Sequence, residues 1–198
     1  MSLRILHVTP YFEGAWAYGG IPRLAGTLTR ELARRGHQIT VCTTDVCARD
    51  RRLPAATASG GTTLDGPGVD VRVFRNLSNR LAYDLQFFTP VGLRRYLHTA
   101  ARSFDVAHIH AHRHVPELLA VGACRRAGVP YVTAPNGTAP VIERRQAIKR
   151  AWDAVRGLRD LTGAAAVIAV SQTERRQLEA LGVPPSRVRV IANPVDLD

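Results

Sequence analysis

Cysteine is scarce in this chain and unpaired. Cys42, Cys47 and Cys124 are odd in number and lack the close spacing of a zinc ribbon or a redox dithiol, which excludes a disulfide framework and leads us to expect reduced thiols. No apolar run is long enough to cross a bilayer, and no charged-then-apolar leader opens the sequence, so a soluble cytoplasmic protein is expected. Repeats at solenoid periods and low-complexity tracts are also missing. Lysine is almost absent: all but Lys149 of the 27 cations are arginine, and with 16 acidic residues the net charge is +11. Aromatic-basic interleaving and a recognition-helix pattern do not accompany that charge, which argues against a nucleic-acid partner.

What is present points to one layered domain. With 45% apolar residues among 198, the chain can bury one sizeable core but hardly two. Arg4 to Thr9 reads as a first strand, followed by a Gly- and aromatic-rich loop from Pro10 to Gly20. Ile21, Leu24, Leu28 and Leu32 mark a helix with Pro22 in its first turn and Gly36 as its stop. Gln38 to Thr43 is a second strand, so the unit has the size of a parallel crossover. Thr44 to Gly68 shows little periodicity and reads as a long loop. Further strands follow at Val69 to Arg75, Val106 to His110, Tyr131 to Thr133, Ala165 to Val170 and Val188 to Ile191. Helices are expected at Pro90 to Arg102 and Val115 to Ala127, and after a capping box in which Ser171 caps and Glu174 reciprocates. Strands alternating with helices predict an α/β fold with a doubly wound, mostly parallel, Rossmann-like sheet. Ala192 to Asp196 is turn-forming and reads as the start of a linker, giving a domain over 1–191 and a linker over 192–198.

Four places can carry chemistry. Val106 to His110 is a buried strand that delivers His110 to the carboxyl rim, where parallel sheets bind ligands. There His110 can act as a hydrogen-bond donor, a general base or a metal ligand. His108, His110 and His112 share a face if the strand stays extended, which would suit zinc in a metal-dependent hydrolase. No carboxylate-histidine pattern follows them, and we expect no metal; His112 and His114 read as loop residues. Gly19-Gly20 meets a helix N-terminus, a flexible turn or a phosphate cradle. Asn136-Gly137 follows the fifth strand, as a plain turn or a rim group, and Ser171 caps its helix and can also face the cleft. A basic amphipathic helix is expected from Glu143 to Arg159, where Arg144, Arg145, Lys149, Arg150, Arg156 and Arg159 alternate with Ile148, Ala151, Trp152 and Val155. It suits an anionic membrane, a phosphate or an ordinary surface.

Four landmarks in order make the chain resemble the N-terminal domain of family 4 retaining glycosyltransferases, which have the two-domain GT-B fold. They are Ile5 to Pro10 leading into Gly19-Gly20 and Leu28 to His37; Asp105 to His110; Ala169-Val170-Ser171 with Glu174; and Val190 to Asp196. The resemblance implies a nucleoside-diphosphate sugar as donor substrate, no cofactor and a metal-independent reaction. It makes His110 the active-site residue of this half and Gly19 and Gly20 neighbours of the diphosphate and acceptor. Where the family often has His-Gly after the fifth strand, this chain has Asn136-Gly137. The C-terminal donor-binding domain is absent, so the chain alone is expected to be inactive. The acceptor is expected to be lipid-linked or otherwise anionic, in glycolipid or polysaccharide synthesis, with peripheral contact at the inner face of the membrane. A stand-alone binding subunit paired with a separate donor-binding chain is the alternative.

Overall fold

The computed structural model describes residues 1–53, 68–139, 152–153 and 158–194. In chain order its elements are β1 (Arg4–Val8), α1 (Ile21–Arg34), β2 (Gln38–Thr44), β3 (Val46–Ala48), β4 (Arg51–Arg52), β5 (Val69–Phe74), α2 (Asn79–Leu85) and α3 (Leu93–Ala100). They continue with β6 (Val106–His110), α4 (Val115–Ala127), β7 (Tyr131–Ala134), α5 (Arg159–Thr162), β8 (Ala166–Ala169), α6 (Gln172–Ala180) and β9 (Val188–Val190).

Seven strands form one sheet in the order β5-β2-β1-β6-β7-β8-β9, and every pairing in it is parallel. Such a sheet needs apolar cover on both faces. On one face Leu6, Val8, Ala107 and Ile109 pack against Leu93 and Leu97 of α3 and Val121 and Cys124 of α4. On the other, Ile5, Ile39, Val41 and Val71 pack against Ala25 of α1. Helix α1 stops at Gly36, whose φ of 85° lets the Gly36 and His37 amides donate to the Ala33 and Leu32 carbonyls, the paired bonds of a Schellman end.

Two expectations change. The stretch read as irregular from Thr44 opens with the β3–β4 hairpin, which Asp45 ties down by accepting from the Arg52 guanidinium and the Asn76 amide. Local side-chain bonds of this kind leave no periodic signal. Helix α2 was not anticipated either, although Ser78 accepts from the Leu81 amide as its N-cap. Most of the basic helix expected over Glu143 to Arg159 lies outside the described residues.

The order reverses between β1 and β6, and the loops there are pinned by buried carboxylates. After His110 the chain bends sharply, with Ala111 and Arg113 both at φ 65°. Glu117, 2% exposed, holds this bend by accepting from His112 Nδ1 at 2.7 Å and the Arg113 amide at 2.6 Å. Arg113 in turn forks onto Asp153 and donates to the Thr138 and Ala139 carbonyls. Glu174 bridges the next two loops, accepting from the Gly137 amide at 2.6 Å and the Val170 amide at 2.7 Å. Its carboxylate thus reaches past Ser171, so the reciprocal capping box does not form; Ser171 Oγ still accepts from the Glu174 amide. Glu117→Ala strands these buried donors and should cost about 3 kcal/mol. Urea unfolding measures it, and a loss below about 1 kcal/mol would show that the bend holds without the carboxylate.

Candidate functional site

His110 ends β6 beside Ala134 of β7, and His108 lies opposite His7 of β1 in the parallel register. Side chains two apart on a strand share a face, so His7, His108 and His110 emerge on the α1 side of the sheet. They border a cavity of about 290 Å³ walled by Leu24 and Leu28 of α1 and by Val132 and Asn136. Their ring centroids are 5.1 Å apart for His7 and His108, 5.4 Å for His7 and His110, and 4.2 Å for His108 and His110.

Burial sets the charge of these rings. Desolvation, reinforced by the neighbouring imidazoles, holds His7 and His110 well below the usual histidine value, and desolvation lowers His108 to about 4. Each ring is therefore neutral at pH 7, with one N–H to donate and one lone pair to accept. Thr29 Oγ1 lies 3.2 Å from His7 Nδ1. Among the described residues neither nitrogen of His110 has a hydrogen-bond partner, and the same holds for His7 Nε2, His108 Nε2 and Asn136 Oδ1. Buried polar atoms are normally paired, so this cluster is chemically unsatisfied by its own fold.

The other predicted residues divide. Gly20 is the N-cap of α1 and borders a second cavity of about 810 Å³. The two cavities share Leu24, Asn136, Asn193 and Pro194, so His110 and Gly20 stand on adjoining stretches of one rim. Gly19 is exposed with φ 91° and lines neither cavity. Gly137 spends its amide on Glu174, and Ser171 is at its cap, also outside both linings. His112 does not join His108 and His110, because the strand ends at His110 and His112 turns to Glu117. The hydrolase reading built on that trio thereby loses its third ligand; His114 instead packs on Phe88.

Sequence reasoning missed His7, Thr29, Arg23 and Trp16. The alternation Ile5-x-His7 against Val106-x-His108-x-His110 held the signal for His7, but only the register of β1 on β6 reveals that the rings meet. Arg23 borders the second cavity and stacks over Trp16 at 5.5 Å, placing a cation near the exposed start of α1.

The sequence pattern of the family described as Glycosyltransferase Family 4 matches residues 18–198. The chain belongs to that family. Comparison with curated proteins finds no match. Among solved structures, Anabaena HepE (Alr3699) in complex with UDP and glucose superposes with a TM-score of 0.60 at 16% identity, covering 98% of this chain and 45% of that one. Arabidopsis thaliana UGT89C1 complexed with UDP gives 0.58 at 9% identity, covering 100% and 51%. The lipopolysaccharide outer core galactosyltransferase WaaB, in its apo form, gives 0.54 at 13%, covering 99% and 47%. This family 4 chain thus spans about half the length of those structures and shares with them the Rossmann-like layer of the GT-B architecture. At such identities the likeness concerns the fold.

Burial of the imidazoles has a consequence for stability. In the unfolded chain His7, His108, His110 and His114 take up protons near pH 6.5, whereas in the folded protein all four are depressed, His108 and His114 to about 4. The unfolded state then binds more protons across that window, so stability is full above about pH 6.5 and is lost as pH falls toward 4. The urea midpoint should be lower at pH 5 than at pH 7, and His114→Phe should flatten the slope. Equal midpoints at the two pH values would mean that the rings are not buried as described.

Proposed function

We propose that this chain is the acceptor-side domain, over 1–191, of a retaining glycosyltransferase. Residues 192–198 begin the connection to a donor-binding domain, and the chain by itself is inactive because it supplies one wall of the cleft. The donor is a nucleoside-diphosphate sugar. The anomeric C–O bond to the diphosphate breaks, a bond from an acceptor hydroxyl forms on the same face, and the hydroxyl proton leaves with the phosphate. The observation that carries this reading is His110, a buried neutral imidazole with both nitrogens unpartnered, beside a crevice where the strand order of a family 4 sheet reverses. A neutral ring there orients a sugar hydroxyl by hydrogen bonding without adding charge to the reacting centre.

Gly20, at the start of α1, suits a diphosphate, since amides and the helix dipole favour an anion and Arg23 stands nearby. A Cβ at Gly20 would meet no atom within 4 Å, and its φ of −82° suits any residue. In the full-length enzyme, Gly20→Ala should therefore keep the fold and raise the donor KM. His110→Ala should lower turnover on the order of 100-fold or more with the fold intact. Near-normal turnover of His110→Ala would remove the ring from the mechanism.

The acceptor is lipid-linked or otherwise anionic, within glycolipid or polysaccharide synthesis. Among the described residues no helix is long and apolar enough to cross a membrane. Peripheral contact in the cytoplasm is supported by Leu77, Leu81, Leu85, Phe87 and Val91, all exposed, among the exposed Arg75, Arg80, Arg94 and Arg95. Phosphatidylglycerol vesicles should bind the protein less as salt rises, and Leu77→Glu with Phe87→Glu should weaken binding further. Salt-independent binding would contradict the electrostatic part.

A further inference from the structure

We propose that His7, His108 and His110 form a three-imidazole binding site for a divalent transition-metal ion of the zinc class. One ligand nitrogen from each ring falls within 4.8 Å of the other two. Rings bound to one zinc ion at the usual Zn–N distance of about 2.0–2.1 Å have centroids roughly 5 Å apart. The observed 5.1 and 5.4 Å separations of His7 from His108 and His110 already match, and the 4.2 Å pair needs only a small ring rotation.

The free atoms point the same way. His7 Nε2, His108 Nε2 and both nitrogens of His110 lack partners among the described residues, while His7 and His110 are 0% and 1% exposed. When His7 Nδ1 donates to Thr29 Oγ1, 3.2 Å away, Nε2 keeps the free lone pair, the arrangement that outer partners impose on metal-bound histidines. All three ligands come from paired strands, so the backbone that holds them is rigid. Three imidazoles with no carboxylate suit zinc, copper or nickel rather than magnesium or calcium. The fourth coordination position faces the cavity, open to water or to an oxygen of a bound molecule.

This site goes beyond the glycosyl-transfer reading and stands without it. If both hold, the ion competes for the His110 lone pair, and zinc suppresses turnover of the full-length enzyme until a chelator removes it. Binding and turnover are measured separately, so the failure of one reading is distinguishable from failure of the other.

The test titrates the chain with Zn²⁺ against a chromophoric chelator and records the visible spectrum of the Co²⁺-loaded protein. One Zn²⁺ per chain is expected, with His7→Gln and His108→Gln each weakening affinity by about 100-fold or more and Thr29→Val by about 10–100-fold. His98→Gln, on an exposed face of α3, leaves it unchanged. Co²⁺ should give the intense bands of a four-coordinate nitrogen site. Unchanged affinity in His7→Gln, or a Co²⁺ spectrum identical to the hydrated ion, would overturn the proposal. Should a variant fail to fold, the Co²⁺ spectrum of the parent chain decides the matter.

Discussion

The parallel pairing of β1 with β6 is the constraint from which the candidate site follows. It sets His7 opposite His108, and the period of two along β6 then adds His110 on the same face. A slip of β1 by one residue would turn His7 away from His108 and His110, into the apolar layer formed with α3 and α4, and bring Leu6 or Val8 out. Burial of both faces makes such a slip costly, so the core that stabilises the sheet also fixes the imidazoles. The pairing lies where the strand order reverses, so the loops leaving β1 and β6 splay apart and open a crevice at their carboxyl ends.

Rigidity at that rim comes from charge placed in the interior. Glu117 and Glu174 each accept several loop donors, and Arg113 joins the β6 loop to the turn after β7. Left-handed backbone at Ala111, Arg113 and Asn136 is disfavoured for residues with a Cβ, and the carboxylate bonds at these two loops offset that cost. The result is a preorganised edge: His110 cannot drift, because the residues after it are held on three sides. Desolvation then removes charge from the rings, which leaves a neutral cluster, bonded among the described residues through Thr29 and otherwise with free ring nitrogens, beside a mostly apolar wall.

The layered α/β fold was legible because strand and helix periods are written in side-chain polarity, and the helix ends are punctuated by Pro22, Gly36 and Gly128. His110 was legible for the same reason, as the polar terminus of an apolar strand. What escaped was long-range. His7 looks like an ordinary strand residue until β6 is paired beside it, and the double duty of Glu174 depends on a loop 37 residues away. At His112 the loop reading holds and the conditional shared face does not, because the backbone bends at Ala111. Gly19-Gly20 was read as a unit, yet Gly20 and not Gly19 lines the second cavity; the pair straddles the step from an exposed turn to the first turn of α1.

Membership of family 4 and a half-length Rossmann-like layer fix the architecture, while function resides in the particular groups at the rim. On the proposed reading, the sugar end of a donor meets His110 and Asn136, and its diphosphate end meets the start of α1. A crystal structure of the full-length enzyme with the donor that it turns over tests this most directly. The account predicts a sugar hydroxyl within hydrogen-bond distance of a His110 ring nitrogen and the diphosphate beside Gly20. A donor seated with its sugar out of reach of His110, on the far side of α1 or against the α3–α4 layer, would contradict it.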